Sequence, residues 1–394
     1  KAEDLSNQIV QALKSFENGN LGDAKILCDK VIVNDHTQPD ALNLLAIIAR
    51  HRKQLRKAEE IVSFAISVNP SHAQLMNTFG LILMDLNRHS EAKDLFLQSH
   101  LEAPLKSEYT SNLAKVSHQL GEWELAEGFY KKVLRTDASS VPALVGLALV
   151  SIDLGYREVA QGLLKRGLDL DSADPGVSHG LGLLALSRNQ LDVAYDYFNN
   201  VVMLSGGVLD AKVNRGLIRM LQGRFGSGWT DYNLRSRRRW NRSAEKFSKI
   251  TRWSGESLYD KSILIWSEQG LGECILCASL MNSIADEASL VILECDLRLV
   301  EVFTRSFPKL QIISGENHKN IDKNLYPIDF QASIFDLLGF KGGDAMKAPI
   351  SSSYLKATEL GSRTLRLKYQ KGDQHIPLVG LSFSSPQAVT ARHK

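Results

Sequence analysis

Residues 253–273 read Trp-Ser-Gly-Glu-Ser-Leu-Tyr-Asp-Lys-Ser-Ile-Leu-Ile-Trp-Ser-Glu-Gln-Gly-Leu-Gly-Glu. Within them the apolar run from Ser262 to Trp266 is short enough to be a buried strand or one turn of core helix. The residues that follow favour the strand. Glu268-Gln269-Gly270-Leu271-Gly272-Glu273 is a glycine-containing turn that opens an apolar, helix-like run. A strand ending in such a turn leaves backbone N–H groups free at the carboxyl edge of a sheet. That edge is where α/β folds bind ligands, and a helix start there favours anions such as phosphate. Upstream of this stretch the chain is a helical repeat array; downstream, strand and helix alternate.

The chain has 394 residues, 44% hydrophobic and 23% charged, an ordinary make-up for a soluble globular protein. The length fits about two or three domains. Forty-seven basic and 44 acidic side chains leave a net charge of +3, so no global field points to nucleic acid. No apolar run approaches the roughly 20 residues that span a bilayer, and no signal peptide is visible; the expected location is cytoplasmic. The cysteines are Cys28, Cys274, Cys277 and Cys295. Cys274 and Cys277 fit a CxxC redox or metal pair, or two small apolar residues one helical turn apart. One pair does not close a zinc site, and no metal is expected. The chain begins at Lys1 and ends at Lys394 just after an apparent strand, and so reads as a piece of a longer protein.

Ala24, Ala58, Ala92, Ala126, Ala160 and Ala194 are 34 residues apart, and the next step falls on Gly228. Twelve residues before each lies a small residue: Ala12, Ala46, Gly80, Ala114, Ala148, Gly182 and Gly216. Four residues after each lies a larger one: Cys28, Val62, Phe96, Tyr130, Leu164, Phe198 and Tyr232. Small residues on paired helices let the two approach closely, and the bulky residue fills the gap toward the next repeat. Pro70 and Pro104 close two units, and Gly19, Gly121 and Gly223 sit in short turns.

This pattern resembles the tetratricopeptide repeat over roughly residues 2–236, in about seven units, and implies a superhelix with a groove lined by the first helix of each unit. The register places Asn43, Asn77 and Ser111 in that groove at one position, and Asn112 and Asn214 one residue later. An amide both donates to and accepts from an extended backbone, as the groove asparagines of sugar-transferring tetratricopeptide enzymes are thought to do. The same residues also suit a solvated helix face. Ile9, Leu13 and Leu44 stand where carboxylate-clamp modules carry Lys or Asn, so a chaperone-tail receptor is not expected.

The last repeat runs into Arg235, Arg237, Arg238, Arg239 and Arg242. These form either a cationic rim for phosphates or a dipole-favoured helix end whose arginine stems cover apolar surface. Residues 237–260 are expected to be a linker packing through Trp253. Residues 261–372 alternate as a Rossmann-like α/β domain. Strands are expected at Ser262–Trp266, 289–294 and 310–313, helices at 273–285, 297–307, 328–338 and 359–371, and a further strand at 377–383. The run 289–294 is nearly all apolar, as a parallel strand buried on both faces should be.

Gly228-Trp229 with Tyr232, then Trp253, Gly255, Glu256, Leu258 and Lys261, then Glu268 through Glu273, resemble bacterial tetratricopeptide proteins that carry a heptosyltransferase-like (family 9) GT-B glycosyltransferase domain, among them flagellin-modifying enzymes. The resemblance covers about residues 225–385. It implies that 261–372 is the N-terminal lobe of a GT-B fold and that 373–394 begins a second, truncated lobe. It also implies a nucleotide sugar as donor substrate, no cofactor, and a protein or peptide acceptor, such as a flagellin-like one, in the groove. Glu273 stands where the family usually has an Asp that acts as general base. It is therefore the candidate base, with Glu268 as fallback and Gln269, Gly270, Leu271 and Gly272 lining the substrate site. Glu can do the same chemistry, but its extra methylene shifts the carboxylate by about an ångström, which can cost on the order of 100-fold in rate. Glu273 equally suits a helix-start carboxylate. Three readings follow: a protein glycosyltransferase whose isolated fragment is inactive, a non-catalytic tetratricopeptide adaptor, and a nucleic-acid binder using Arg235 to Arg242.

Overall fold

A computed structural model describes residues 2–204, 208–237, 247, 249–267, 270–315, 328–341 and 354–369. Two compact units divide between Glu245 and Lys246.

The first unit is seven helix pairs: α1 (Ala2–Glu17) with α2 (Leu21–Asn34), α3 (Pro39–His51) with α4 (Leu55–Val68), α5 (Ala73–Asp85) with α6 (His89–Glu102), α7 (Ser107–Gln119) with α8 (Trp123–Thr136), α9 (Val141–Asp153) with α10 (Arg157–Leu170), α11 (Pro175–Ser187) with α12 (Leu191–Leu204), and α13 (Leu209–Leu221) with α14 (Phe225–Tyr232). The 34-residue alanines are all fully buried between the helices. The small first-helix positions are buried for a visible reason. A Cβ on Gly80 would lie 2.5 Å from the Phe96 ring, and one on Gly182 would lie 3.0 Å from Phe198. In these two repeats the bulky residue packs on the first helix of its own pair and also joins a cluster with the next first helix, Phe96 with Leu113 and Val116, and Phe198 with Ala211 and Ile218. Tyr130 and Leu164 bridge forward, onto Gly146 and Gly180 of the following pair. At Gly216 the neighbours are backbone: a Cβ would sit 2.6 Å from the Tyr232 nitrogen and 2.7 Å from the Gly228 oxygen.

Each pair turns through one residue with positive φ, again at the 34-residue step: Gly19, Lys53, Asn87, Gly121, Gly155, Asn189 and Gly223, all between 57° and 82°. That conformation ends a helix by letting the next amides reach back to its last carbonyls. Successive first helices from α1 to α11 approach one another more closely than successive second helices do. The first helices therefore line the inner face of the array.

The second unit holds a parallel sheet of β1 (Thr251–Arg252), β2 (Ser262–Trp266), β3 (Leu290–Cys295), β4 (Gln311–Ser314) and β5 (Phe330–Ser333), in the order β1-β5-β2-β3-β4. All five residues of β2 are buried, as a central strand covered on both faces requires. From β2 the chain moves outward to β3 and β4, then returns to the other side of β2 as β5. Strand order thus reverses beside the carboxyl end of β2.

Two expectations are corrected. Residues 328–338 do not form a helix: β5 occupies 330–333 and a helix starts only at Asp336 (Asp336–Lys341). Tertiary pairing overrides the helix-like pattern there. β5 is hydrogen-bonded between β2 and β1, and the Asp329 carboxylate anchors its start by accepting from the Ser262 backbone nitrogen at 2.9 Å and from its hydroxyl at 2.8 Å. Residues 251–252, within the stretch read as linker, are the edge strand β1, and the Trp253 nitrogen donates to the Gln331 oxygen. The helix after β2 comes in two pieces, Leu271–Cys277 and Met281–Glu287, joined by a 3-10 turn. The strand placed at 377–383 lies outside the described residues.

Candidate functional site

On the inner face of the array two cavities adjoin. One, about 360 Å³, lies between α1 and α3 and includes Val10, Leu13, Asn43 and Ile47. The other, about 300 Å³, lies between α3, α5 and α7 and includes Arg50, Asn77, Lys106 and Glu108. Ile47 and Gln74 line both, so the two cavities are neighbours along this face. A third cavity, about 290 Å³, follows along α7, α9 and α11 and includes His118, Leu149 and Leu183.

The predicted groove amides fall into different roles. Asn43 is 3% exposed, lines the first cavity, and its Oδ1 has no hydrogen-bond partner. Asn77 and Asn112 come together: the Asn112 amide donates to Asn77 Oδ1 at 2.8 Å, and Asn77 Nδ2 donates to Glu108 at 3.3 Å. This chain of amides is tied into the fold, which leaves it less free to serve a ligand than Asn43. Asn214 Nδ2 lies 3.4 Å from His179 Nε2. Ser111 is half-buried.

Polar side-chain contacts between successive first helices recur at the same register, two repeats apart. Arg50 donates to Asp85 at 2.8 Å, and His118 lies 2.6 Å from Asp153. They brace the rim of the groove. Composition did not signal them, although stepping the charged positions by 34 or 35 residues would have. At the end of the array Asp231, nearly buried, accepts from Arg215 at 2.7 Å and Arg219 at 2.9 Å. Arg235, the first residue of the basic run, is buried with its guanidinium 4.9 Å from the Tyr232 ring centre, and it donates to Asn233. It packs inside the fold, neither as a cationic rim nor as a solvated helix end. Arg238, Arg239 and Arg242 lie outside the described residues.

In the second unit Gly270 and Gly272 are exposed at the carboxyl end of β2 and Leu271 is half-buried between them. The Gly270 oxygen accepts from the Cys274 nitrogen, which starts the helix. Glu268, Gln269 and the side chain of Glu273 lie outside the described residues. Cys274 and Cys277 are buried, and burial, with the neighbouring Cys277 and acidic groups, pushes the Cys274 thiol up to about 12. A thiol held that high is protonated at neutral pH and is a poor nucleophile or metal ligand. No cluster of metal-binding side chains occurs among the described residues. Asp336, 1% exposed at the carboxyl end of β5, is paired with Arg252 of β1 at 2.9 Å and accepts from the Ser333 nitrogen. Trp266 donates to Gln331 at 2.6 Å. Both contacts tie the sheet edge together.

The array has the tetratricopeptide-repeat fold. The crystal structure of a tetratricopeptide repeat protein from Parabacteroides merdae is similar with a TM-score of 0.51 at 17% identity, over 62% of this chain and 96% of that one. Among curated proteins, Protein FlbA of Caulobacter vibrioides is 22% identical over 318 residues, 79% of this chain and 53% of the relative. The type IV pilus assembly protein PilF of Pseudomonas aeruginosa is 26% identical over 135 residues, 34% of this chain and 54% of the relative. This chain therefore spans about half the length of the curated relatives it matches. No family model matches it. No described helix is long and apolar enough to cross a membrane.

Proposed function

We propose that the repeat array binds an extended segment of a partner protein along the face of its first helices. The observation that carries this is Asn43 Oδ1, buried without a partner in a groove-lining cavity. Leaving such a group unpaired costs about 1–3 kcal/mol, which a bound backbone amide would recover. Tetratricopeptide arrays present this face as an extended binding surface. The test is titration of immobilised, randomised peptides against the whole chain, with Asn43→Leu as the comparison. The reading expects saturable binding that the substitution weakens; peptides that fail to bind, or bind both forms equally, would refute it.

The finer reading is that the bound segment is an acceptor for sugar transfer, with the α/β unit as the front lobe of a GT-B glycosyltransferase. Three observations favour it. The sheet is parallel, its order reverses beside β2, and the exposed turn at Gly270 and Gly272 sits at that point, where such sheets take ligands. In this reading Glu273 takes the proton of the acceptor hydroxyl as it attacks the sugar carbon and the nucleotide leaves. The longer parent protein, incubated with nucleotide sugars and its acceptor, should form a glycosylated product and lose that activity in Glu273→Gln with acceptor binding retained. Unchanged turnover in that variant would remove Glu273 from the role, and no turnover in the parent would leave the adaptor.

A further inference from the structure

We infer that the groove selects an extended segment with alternating apolar residues and a carboxylate near its centre, and that Lys115 reads the carboxylate. This rests on the peptide-binding reading above. One register position of the first helices carries Leu13, Ile47, Leu81, Lys115, Leu149, Leu183 and Leu217, each 34 residues from the next. Leu13 is exposed, and the other five apolar members are half-buried. By contrast, the neighbouring core residues Leu44, Leu147 and Leu184 are buried. Leu13, Ile47, Leu81, Leu149 and Leu183 line the three cavities. The array thus holds a partly wet apolar row along its inner face, broken once by a cation.

Lys115 is exposed, and nothing on the adjoining first helices neutralises it. Their acidic side chains are already engaged, Asp85 with Arg50 and Asp153 with His118, and Glu108, seven residues back on Lys115's own helix, accepts from the Asn77 amide. A ligand carboxylate set between apolar neighbours would meet the cation in partly dehydrated surroundings, while a ligand lysine would be repelled. Asn43 fixes the backbone form of the ligand. A helix has already paired its amides beyond the first turn, whereas an extended chain has free ones. If the Asn43 amide is turned over, its nitrogen finds an acceptor on the same kind of backbone. Successive side chains of an extended segment point to opposite sides, so every second residue can meet the leucine row.

The experiment measures fluorescence anisotropy of synthetic peptides with apolar residues at every second position and Glu, Ser or Lys at the centre, titrated with the whole chain. The Glu-centred peptide should bind about fivefold more tightly than the Ser-centred one, and the Lys-centred one should be weakest. Lys115→Glu lies on the surface and should keep the wild-type circular dichroism spectrum while reversing that order. Asn43→Leu should weaken all three peptides without changing their order. Equal affinity for the three, or an order unmoved by Lys115→Glu, overturns the inference and leaves peptide binding standing. A helix-favouring peptide that binds as tightly overturns the extended form. Failure of every peptide to bind overturns the groove reading itself, and the inference with it.

Discussion

The two units bury similar side chains by opposite means. In the array each helix packs on its sequence neighbours, and the core is a row of small separate clusters such as those around Ala24, Ala58 and Ala194. In the α/β unit β2 pairs with a strand about 30 residues away on one side and another nearly 70 away on the other, by register pairs such as Leu264 with Ile292 and with Gln331. Stability of a repeat array is approximately a sum of local terms, whereas a sheet with distant partners stands or falls together. The groove, built from many repeats, can therefore loosen at one end and hold at the other. The sheet edge cannot lose one strand without disturbing the next.

The largest expected effects test that contrast directly. Phe96 and Trp266 are both almost fully buried aromatics, and replacing either by Ala should cost about 3–5 kcal/mol. The spread of the damage should differ. In Phe96→Ala, amide hydrogen exchange should rise in α5 to α8 and stay low in α11 to α13. In Trp266→Ala, which also leaves Gln331 without its indole donor, exchange should rise in β2, β3 and β5 together. Equal acceleration along the whole array would show that the repeats are not locally coupled.

The same contrast explains what could be read in the sequence. The array was legible because its packing repeats at a fixed step: one alanine column located fourteen helices. The sheet offered no such period. β2, β3 and β4 are legible as short apolar runs bounded by turns, but β5 is not. Phe330, Ile334 and Leu337 fall at helical spacing, and only the pairing of Phe330 and Gln331 with Ile263 and Leu264, far apart in sequence, makes the first part a strand. The groove was legible as a row of positions, not as a set of roles. Nothing in the type Asn separates Asn43, left unpartnered, from Asn77, already used by Asn112 and Glu108. The apolar row through Leu13 and Leu149 was equally available at the 34-residue step, but it carries no unusual residue to draw the eye except Lys115. The roles of Asp231 and Asp336 are not legible in the sequence, because their arginine partners meet them only in space.

A smaller effect should appear on acidification. His100 lies inside the array between the Thr110 hydroxyl at 3.0 Å and the Lys132 ammonium at 2.9 Å. Burial first, and then the Lys132 charge, lower its pKa below the ordinary 6.5. The folded array thus holds the imidazole neutral, and the unfolded chain takes up the proton first as pH falls. This contribution to stability is whole above about pH 6.5 and drains away as the pH drops toward the lowered folded value. Between pH 7 and pH 5 the array's Tm should fall more steeply in the native chain than in His100→Gln, with the excess confined to the repeats around α6 to α8. Parallel slopes for the two proteins would assign the acid sensitivity elsewhere.

The smallest effect isolates the local term by itself. Lys53 holds φ at 60° in the turn between α3 and α4, where four of the seven turns use glycine and two use asparagine. It keeps that conformation because the turn is closed by hydrogen bonds from its own nitrogen to Arg50 and from Gln54 to Ala49, both 2.9 Å. A left-handed residue with a Cβ costs about 1–2 kcal/mol, partly offset because glycine gains more freedom in the unfolded chain. Lys53→Gly should therefore stabilise the array by about 0.5 kcal/mol, and Asn87→Gly by less, since asparagine tolerates this region better. The reverse change, Gly121→Lys, should destabilise by a similar amount at the same register position. Chemical denaturation of the three variants measures it. If Gly121→Lys costs several kcal/mol while Lys53→Gly does nothing, the turns are not interchangeable units, and the description of the array as a sum of equal local terms fails where it is easiest to satisfy.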